Sequence, residues 1–179
     1  MLLKKYSPDW IKYFINIKSE IEKALSGLTY TIEHVGSTAV PNLDSKPIID
    51  IDIIYSNESD FEIIKSRLEN IGYYHKGNQG IEDRDVFKRK SFSTDSILDK
   101  VKHHLYVCPV NSKALERHIL SRDYLRKNDL ARIKYQEMKY ALAAQANQDK
   151  KVYAALKENN VNDFIDSIIE AEKLSNDKC

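Results

Sequence analysis

Residues 34–53 read HVGSTAVPNLDSKPIIDIDI, and this stretch indicates both the fold and the candidate site. It opens with a histidine shortly before a Gly-Ser pair, and it closes with a run in which Asp50 and Asp52 alternate with isoleucines. Because side chains on a β-strand alternate between its two faces, this run predicts a strand with both aspartates on one face. The isoleucines would occupy the opposite face and pack into a core.

Asp50 and Asp52 would lie roughly 6–7 Å apart at the backbone, given the rise per residue of a strand. Neither has a neighbouring Lys or Arg in the sequence, so each carboxylate raises the cost of ionising the other. A divalent cation removes that cost, and Mg²⁺ is usually held by one or two carboxylates together with substrate phosphates. We therefore predict a site for Mg²⁺, or alternatively Mn²⁺, at Asp50 and Asp52. The alternative is an ordinary amphipathic strand with its aspartates in water.

Gly36, Ser37 and Thr38 predict the complementary, phosphate-binding part of the site. They follow a segment rich in β-forming residues, where a glycine allows close backbone approach. Hydroxyl groups there can cap a helical turn and donate to phosphate oxygens. Lys46, just before the aspartate strand, could meet a triphosphate or simply be solvated. Arg84, in the polar loop over residues 77–85, is a further candidate for binding an anion.

The remaining pattern predicts an α+β fold: a mixed sheet with flanking helices, then a helical block. We expect helices over 8–26 and 61–71, strands over 30–35, 48–55, 73–75, 86–92 and 101–107, and a polar turn around 94–99. Helices to about 127 and over 129–147 follow Pro109, and a last helical segment carries a break near Asn159.

Bulk composition excludes several classes of protein. The 179 residues carry 28 basic and 27 acidic side chains, a net charge of +1, so no global basic field favours nucleic acid. The two cysteines do not make a disulfide framework, which favours a reducing compartment. No segment approaches the ~20 apolar residues of a membrane span. We expect a cytoplasmic protein with no membrane partner.

The stretch over residues 34–52 resembles the signature of the GrpB family, a widespread bacterial family of uncharacterised function. Weaker matches extend from residues 6–14 to residues 153–157, so the resemblance covers most of the chain. GrpB proteins look like a branch of the nucleotidyltransferase superfamily, which is marked by Gly-Ser and then Asp-x-Asp. The resemblance implies one domain over 1–179, with a nucleotidyltransferase-like core over about 1–109 and a helical portion over about 110–179.

The resemblance also implies roles for individual residues. Gly36 and Ser37 match the phosphate-side element of the superfamily, and Asp50 and Asp52 match its metal-binding acids. The superfamily usually adds a third acid on a later strand, but the strand over 101–107 contains none, and His104 occupies a plausible position for it. A neutral histidine there could act as a base or as a metal ligand.

These residues predict a Mg²⁺-dependent nucleotidyltransferase or phosphoryl-transfer protein whose acceptor the sequence does not identify. The alternative is a non-catalytic module that binds a nucleotide or a coenzyme-A-type ligand on the same fold. In either case the expected partner is a nucleotide or another phosphate-bearing small molecule.

Other charged and imidazole side chains have two interpretations each. His34 could contact a phosphate or orient an acid, or it could be a structural histidine. His75 and His118 are expected to be surface or satisfied groups. Four residues of the helical block could frame the far wall of a cleft or simply face water: Arg122, Arg126, Tyr135 and Lys139.

Overall fold

The computed structural model describes residues 1–90 and 96–176. In these residues the helices are α1 (Asp9–Ala24), α2 (Glu58–Asn70), α3 (Ile97–Lys100), α4 (Lys113–Lys127), α5 (Asp129–Gln145) and α6 (Lys150–Asn176). The strands are β1 (Tyr30–Val35), β2 (Ile49–Tyr55), β3 (Tyr73–His75), β4 (Asp85–Arg89) and β5 (His103–Pro109), and a 3₁₀ turn spans Ser37–Ala39.

The strands form one mixed sheet in the order β1-β2-β5-β4-β3. β2 and β5 are parallel, whereas β1 with β2, β5 with β4 and β4 with β3 are antiparallel. In the parallel register Asp50 lies beside His104, and Asp52 lies beside Tyr106. The central strand pair therefore brings the two predicted acids next to the strand that was expected to supply the third catalytic group.

One hydrophobic core lies under the sheet. The isoleucines that alternate with the aspartates in β2 are fully buried in it, as the alternation predicts. They pack with Trp10, Ile17 and Ile21 of α1, whose helical spacing puts them on one face. Each fully buried side chain of this size contributes about 1.5–3 kcal/mol. This burial fixes the strand register and so places both acids on the other face of β2.

A second hydrophobic core joins α4, α5 and α6 to two distant segments of the chain. Leu2 and Leu3 at the N-terminus, and Val40 and Leu43 after the 3₁₀ turn, pack against helical side chains such as Tyr153. A β-bridge between Lys4 and Ser45 holds the two segments together. The helical block is thus packed against the loop that precedes β2, and the candidate site lies between the block and the sheet.

The predicted α+β fold with a mixed sheet is confirmed. The break near Asn159 is wrong, because α6 continues through it. Asparagine costs a helix only about 0.7 kcal/mol or less, and burial of Tyr153, Val161 and Ile168 along α6 outweighs that cost.

A short helix, α3, lies where the sequence predicts a polar turn, and the Ser96 hydroxyl caps it by accepting from the backbone of Leu98. The end of the strand predicted over 86–92 and the start of that turn lie outside the described residues. Among the described residues, no helix has the length and apolar character needed to span a membrane.

Candidate functional site

Gly36 forms a sharp turn between β1 and the 3₁₀ turn. Its φ is +70°, a conformation that L side chains rarely adopt. A Cβ atom on this residue would lie 2.4 Å from Oδ2 of Asp50, which is far inside van der Waals contact. The glycine therefore serves two needs at once, the left-handed backbone and the close approach of the backbone to the Asp50 carboxylate.

Thr38 and His34 hold this turn from behind. The Thr38 hydroxyl donates to the carbonyl of Ile48 at 3.2 Å and lies 3.1 Å from Nε2 of His34, which therefore donates to it. The His34 ring also stacks on Phe14 at 4.7 Å. Burial lowers the pKa of His34 to about 4, so the ring is neutral at pH 7. His34 has the structural role that was one of its two interpretations.

Each aspartate of β2 forms a hydrogen bond with an imidazole ring. Oδ1 of Asp50 lies 2.8 Å from Nδ1 of His104 on β5, and Oδ2 of Asp52 lies 2.8 Å from Nδ1 of His118 on α4. Asp52 is 0% exposed, and its Oδ1 has no hydrogen-bond partner among the described residues. His118 therefore covers Asp52, whereas Asp50 faces an open cavity.

His118 lines the cavity and contacts Asp52, whereas sequence analysis expected only a surface or satisfied group and did not place it at the site. It is 66 residues from its partner Asp52, so no local spacing connects the two. Helical spacing in the sequence of α4 does relate His118 to a candidate residue, Arg122. His118 and Arg122 are four residues apart and share one face of α4, and Arg122 is buried against β1.

Two arginines of α4 hold both ends of the segment that contains the Gly36 turn. Nη1 of Arg122 donates to Oε2 of Glu33 at 2.6 Å and to the carbonyl of His34 at 3.0 Å. Nε of Arg126 donates to the carbonyl of Ala39 at 3.0 Å. The first contact precedes the glycine and the second follows it, so α4 fixes the turn relative to the helical block.

A cavity of about 420 Å³ lies between the sheet and the helical block. Its sheet wall is formed by Gly36, Ser37, Asp50, His104 and Tyr106. Its helical wall includes Arg117, His118, Arg122, Lys139, Tyr153 and Lys157. A volume in this range is typical of small-molecule sites. The sheet wall contributes one carboxylate, that of Asp50, and the helical wall contributes several basic side chains.

Only some of the site residues predicted from the sequence line the cavity. Gly36, Ser37, Lys46, Asp50 and His104 line the cavity. Nζ of Lys46 lies 5.0 Å from the centre of the Tyr153 ring.

Three other predicted site residues lie behind the cavity wall. Asp52 lies beneath His118, and Thr38 is 1% exposed with its hydroxyl turned to Ile48. The Arg84 guanidinium is 4.6 Å from the ring centre of Tyr106, and it contacts this wall residue instead of the open space.

Comparisons with known proteins identify the family of this chain. The family described as GrpB protein matches residues 1–170. The chain belongs to the GrpB family. A relative named glutamate-rich protein GrpB from Alkalihalophilus pseudofirmus is 31% identical over 170 residues, which is 94% of each chain. The GrpB crystal structure from Enterococcus faecalis has a TM-score of 0.78 at 26% identity, covering 94% of this chain and 98% of that one.

The GrpB fold also resembles that of a nucleotidyltransferase. The Cid1 poly(U) polymerase, in a crystal structure of its H336N mutant bound to MgATP, has a TM-score of 0.56 at 13% identity. The match covers 80% of this chain and 45% of that one. At this level of identity the likeness concerns the fold alone, and it is consistent with the nucleotidyltransferase-like fold that the resemblance to the GrpB family implies.

Proposed function

We propose that this GrpB protein is a Mg²⁺-dependent nucleotidyl- or phosphoryl-transferase that acts on a nucleotide or a similar phosphate-bearing small molecule. The observation that carries the proposal is the contact of the Gly36 turn with Asp50 at the mouth of a cavity with basic side chains on its far wall. Such a cavity can hold phosphates against the backbone while an acid holds the cation that neutralises them.

The residues present fit a bound cation. Oδ1 of Asp52 is buried without a hydrogen-bond partner in the described residues, and Asp50 is adjacent. No preformed group of three or more His, Cys, Asp or Glu ligands occurs in residues 1–90 and 96–176. Asp50 and Asp52 would thus supply a part of the coordination, and phosphate and water oxygens the rest, as Mg²⁺ commonly requires. A bound Mg²⁺ would neutralise phosphate charge and orient the reacting phosphoryl group.

His104 takes the role that a third carboxylate would have. Its Nδ1 is directed at the Asp50 carboxylate, so this nitrogen carries the proton and donates. Nε2 is then the basic nitrogen and can accept the proton of an attacking hydroxyl group. His118 donates to Asp52 in the same way, and both carboxylates can hold one ion only after the His118 contact opens.

A titration with Mg²⁺ or Mn²⁺ and nucleotides, followed by thermal shift and by release of labelled product, tests the proposal. We expect stabilisation by a cation–nucleotide pair, and a loss of turnover of at least about 100-fold in Asp50→Asn. Asp163→Asn is the matched control, because Asp163 is exposed on α6. Equal stabilisation and turnover in Asp50→Asn and the unmodified protein would contradict the proposal.

A second candidate function is a non-catalytic module that binds a nucleotide or a coenzyme-A-type ligand. It is favoured by the residues that β5 places beside the two acids, which are His104 and Tyr106 and include no carboxylate. In this case nucleotide binds without turnover, and His104→Ala leaves the affinity nearly unchanged. Any labelled product from a nucleoside triphosphate eliminates this alternative.

A further inference from the structure

Three lysines gather at the helical end of the cavity. Lys46 enters from the loop before β2, Lys139 from α5 and Lys157 from α6, and all three line the cavity. Their ammonium groups lie against aromatic rings. Nζ of Lys139 is 4.8 Å and Nζ of Lys157 is 5.9 Å from the ring centre of Tyr135. We call these three residues the lysine cluster.

Lys139 is the most unusual member of the lysine cluster because it is 1% exposed. An ammonium group has three N–H donors, and the hydrogen bond that the structure shows for it is to the carbonyl of Asp44 at 2.5 Å. Burial lowers the pKa of Lys139 well below its ordinary value, and the charge of Lys157 lowers it further. A buried cation of this kind is costly unless it meets an anion.

No carboxylate of the described residues supplies that anion. In the part of the chain that the structure describes, none of the three ammonium groups forms an ion pair with an Asp or Glu side chain. Burial also lowers the pKa of Lys46, and the nearby charge of Lys157 adds to this effect. The only carboxylate that lines the same cavity is Asp50 among the described residues, and its charge acts in the opposite direction on Lys46.

We infer that the lysine cluster is a binding subsite for the terminal phosphates of a polyphosphate ligand, such as a nucleoside triphosphate. The inference rests on the proposed function for the position of the rest of the ligand, which would reach Asp50 and the Gly36 turn. The subsite itself depends on charge alone and needs no metal ion. A ligand with two or more phosphates matches the lysine cluster better than a single phosphate, because a single phosphate group carries a charge of only about −1.5 to −2 at pH 7 against three ammonium groups.

Calorimetric titration of the full chain with inorganic tripolyphosphate, in the presence of a chelator, tests the subsite. The unmodified protein should bind tripolyphosphate, and orthophosphate should bind at least about tenfold more weakly. Lys46→Met and Lys157→Met should each weaken tripolyphosphate binding at least about tenfold, since each removes a charge-assisted contact. Lys151→Met is the matched control, because Lys151 is an exposed lysine in the first turn of α6.

Lys46 and Lys157 are the test positions because Lys139 also holds the backbone at Asp44, and its replacement could unfold the second core. Asp50→Asn separates this inference from the proposed function. It should abolish metal-dependent turnover and leave metal-free binding of tripolyphosphate intact. Absence of tripolyphosphate binding, equal binding of orthophosphate, or binding unchanged in both lysine variants would overturn the subsite, whether or not the protein shows turnover.

Discussion

The two ends of the cavity differ in how their charges are balanced. At the sheet end, Asp50 and Asp52 are each bonded to an imidazole, and the Gly36 turn is held by His34 and Thr38. At the helical end, the lysine cluster lies against tyrosine rings and no carboxylate in the described residues pairs with it. At the sheet end both carboxylates have an imidazole partner, although Oδ1 of Asp52 has none among the described residues. The helical end has an excess of positive charge that an external anion can balance.

This difference predicts separate roles for the two ends of the cavity. Charges that are already paired hold a geometry, because breaking each pair costs energy. Charges without an opposite partner contribute to affinity, since a ligand removes the cost of keeping them buried. We therefore expect the sheet end to determine the arrangement of the reacting groups and the helical end to determine which ligands bind.

The first test concerns Arg122, which joins α4 of the helical wall to β1 of the sheet. Arg122→Met leaves Glu33, whose side chain is 34% exposed, and the carbonyl of His34 without their donor. A hydrogen bond to a charged group contributes about 1.5–3 kcal/mol, and two such bonds are lost. Urea unfolding should show this loss. Arg117→Met is the control on the same helix, because its pair with Asp166 is exposed and should contribute less than about 1 kcal/mol. Equal losses in the two variants would show that the contacts of Arg122 with β1 contribute no more stability than an exposed ion pair.

The sheet end should also be the more sensitive to acid, through His34. Its pKa falls from the ordinary 6.5 to about 4 on folding, so the unfolded chain binds more protons between these values. The stability contributed by the neutral ring is complete above pH 6.5, is lost as the pH falls towards 4, and amounts to about 3 kcal/mol. Unfolding free energies at pH 7 and pH 4.5 should differ less in His34→Gln than in the unmodified protein. An identical pH dependence in the variant would contradict this assignment.

Gly36→Ala gives the smallest expected effect and the most local one. The variant strains a left-handed backbone and places a methyl group against Asp50. Gly80→Ala is the matched control, because Gly80 has a φ of +82° and open space around its Cβ position. The backbone strain is common to both variants, so the overpacking against Asp50 makes the difference, and we expect Gly36→Ala to lose about 1–2 kcal/mol more stability than Gly80→Ala. Equal losses in thermal or urea unfolding would mean that the Asp50 side chain moves away from the added methyl group without a measurable loss of stability.

The sequence predicts the features of this molecule that depend on local periodicity. Asp50 and Asp52 share a strand face because side chains alternate along any strand, and the buried isoleucines between them fix which face that is. The glycine before Ser37 indicates a turn for an equally local reason, namely its backbone freedom. The α+β order of the elements follows from the same kind of pattern.

The sequence does not predict contacts between distant segments. His118 reaches Asp52, and Lys139 reaches Asp44, across 66 and 95 residues respectively, and no spacing rule connects such pairs. At Thr38 a local pattern indicates a contact that the tertiary structure does not make. A hydroxyl after a Gly-Ser pair suggests a phosphate contact, but tertiary packing turns the Thr38 side chain to Ile48 and away from the cavity.

The second hydrophobic core joins segments that are far apart in the sequence. The N–H of Leu2 donates to the side chain of Gln148, 146 residues along the chain, and the loop before β2 joins the same core. Closing loops of this length is entropically expensive and slows folding. We therefore expect the helical wall to dock after the more local strand pairs form. The lysine cluster is complete only after that docking. An anion bound there would therefore stabilise the docked state of the helical wall.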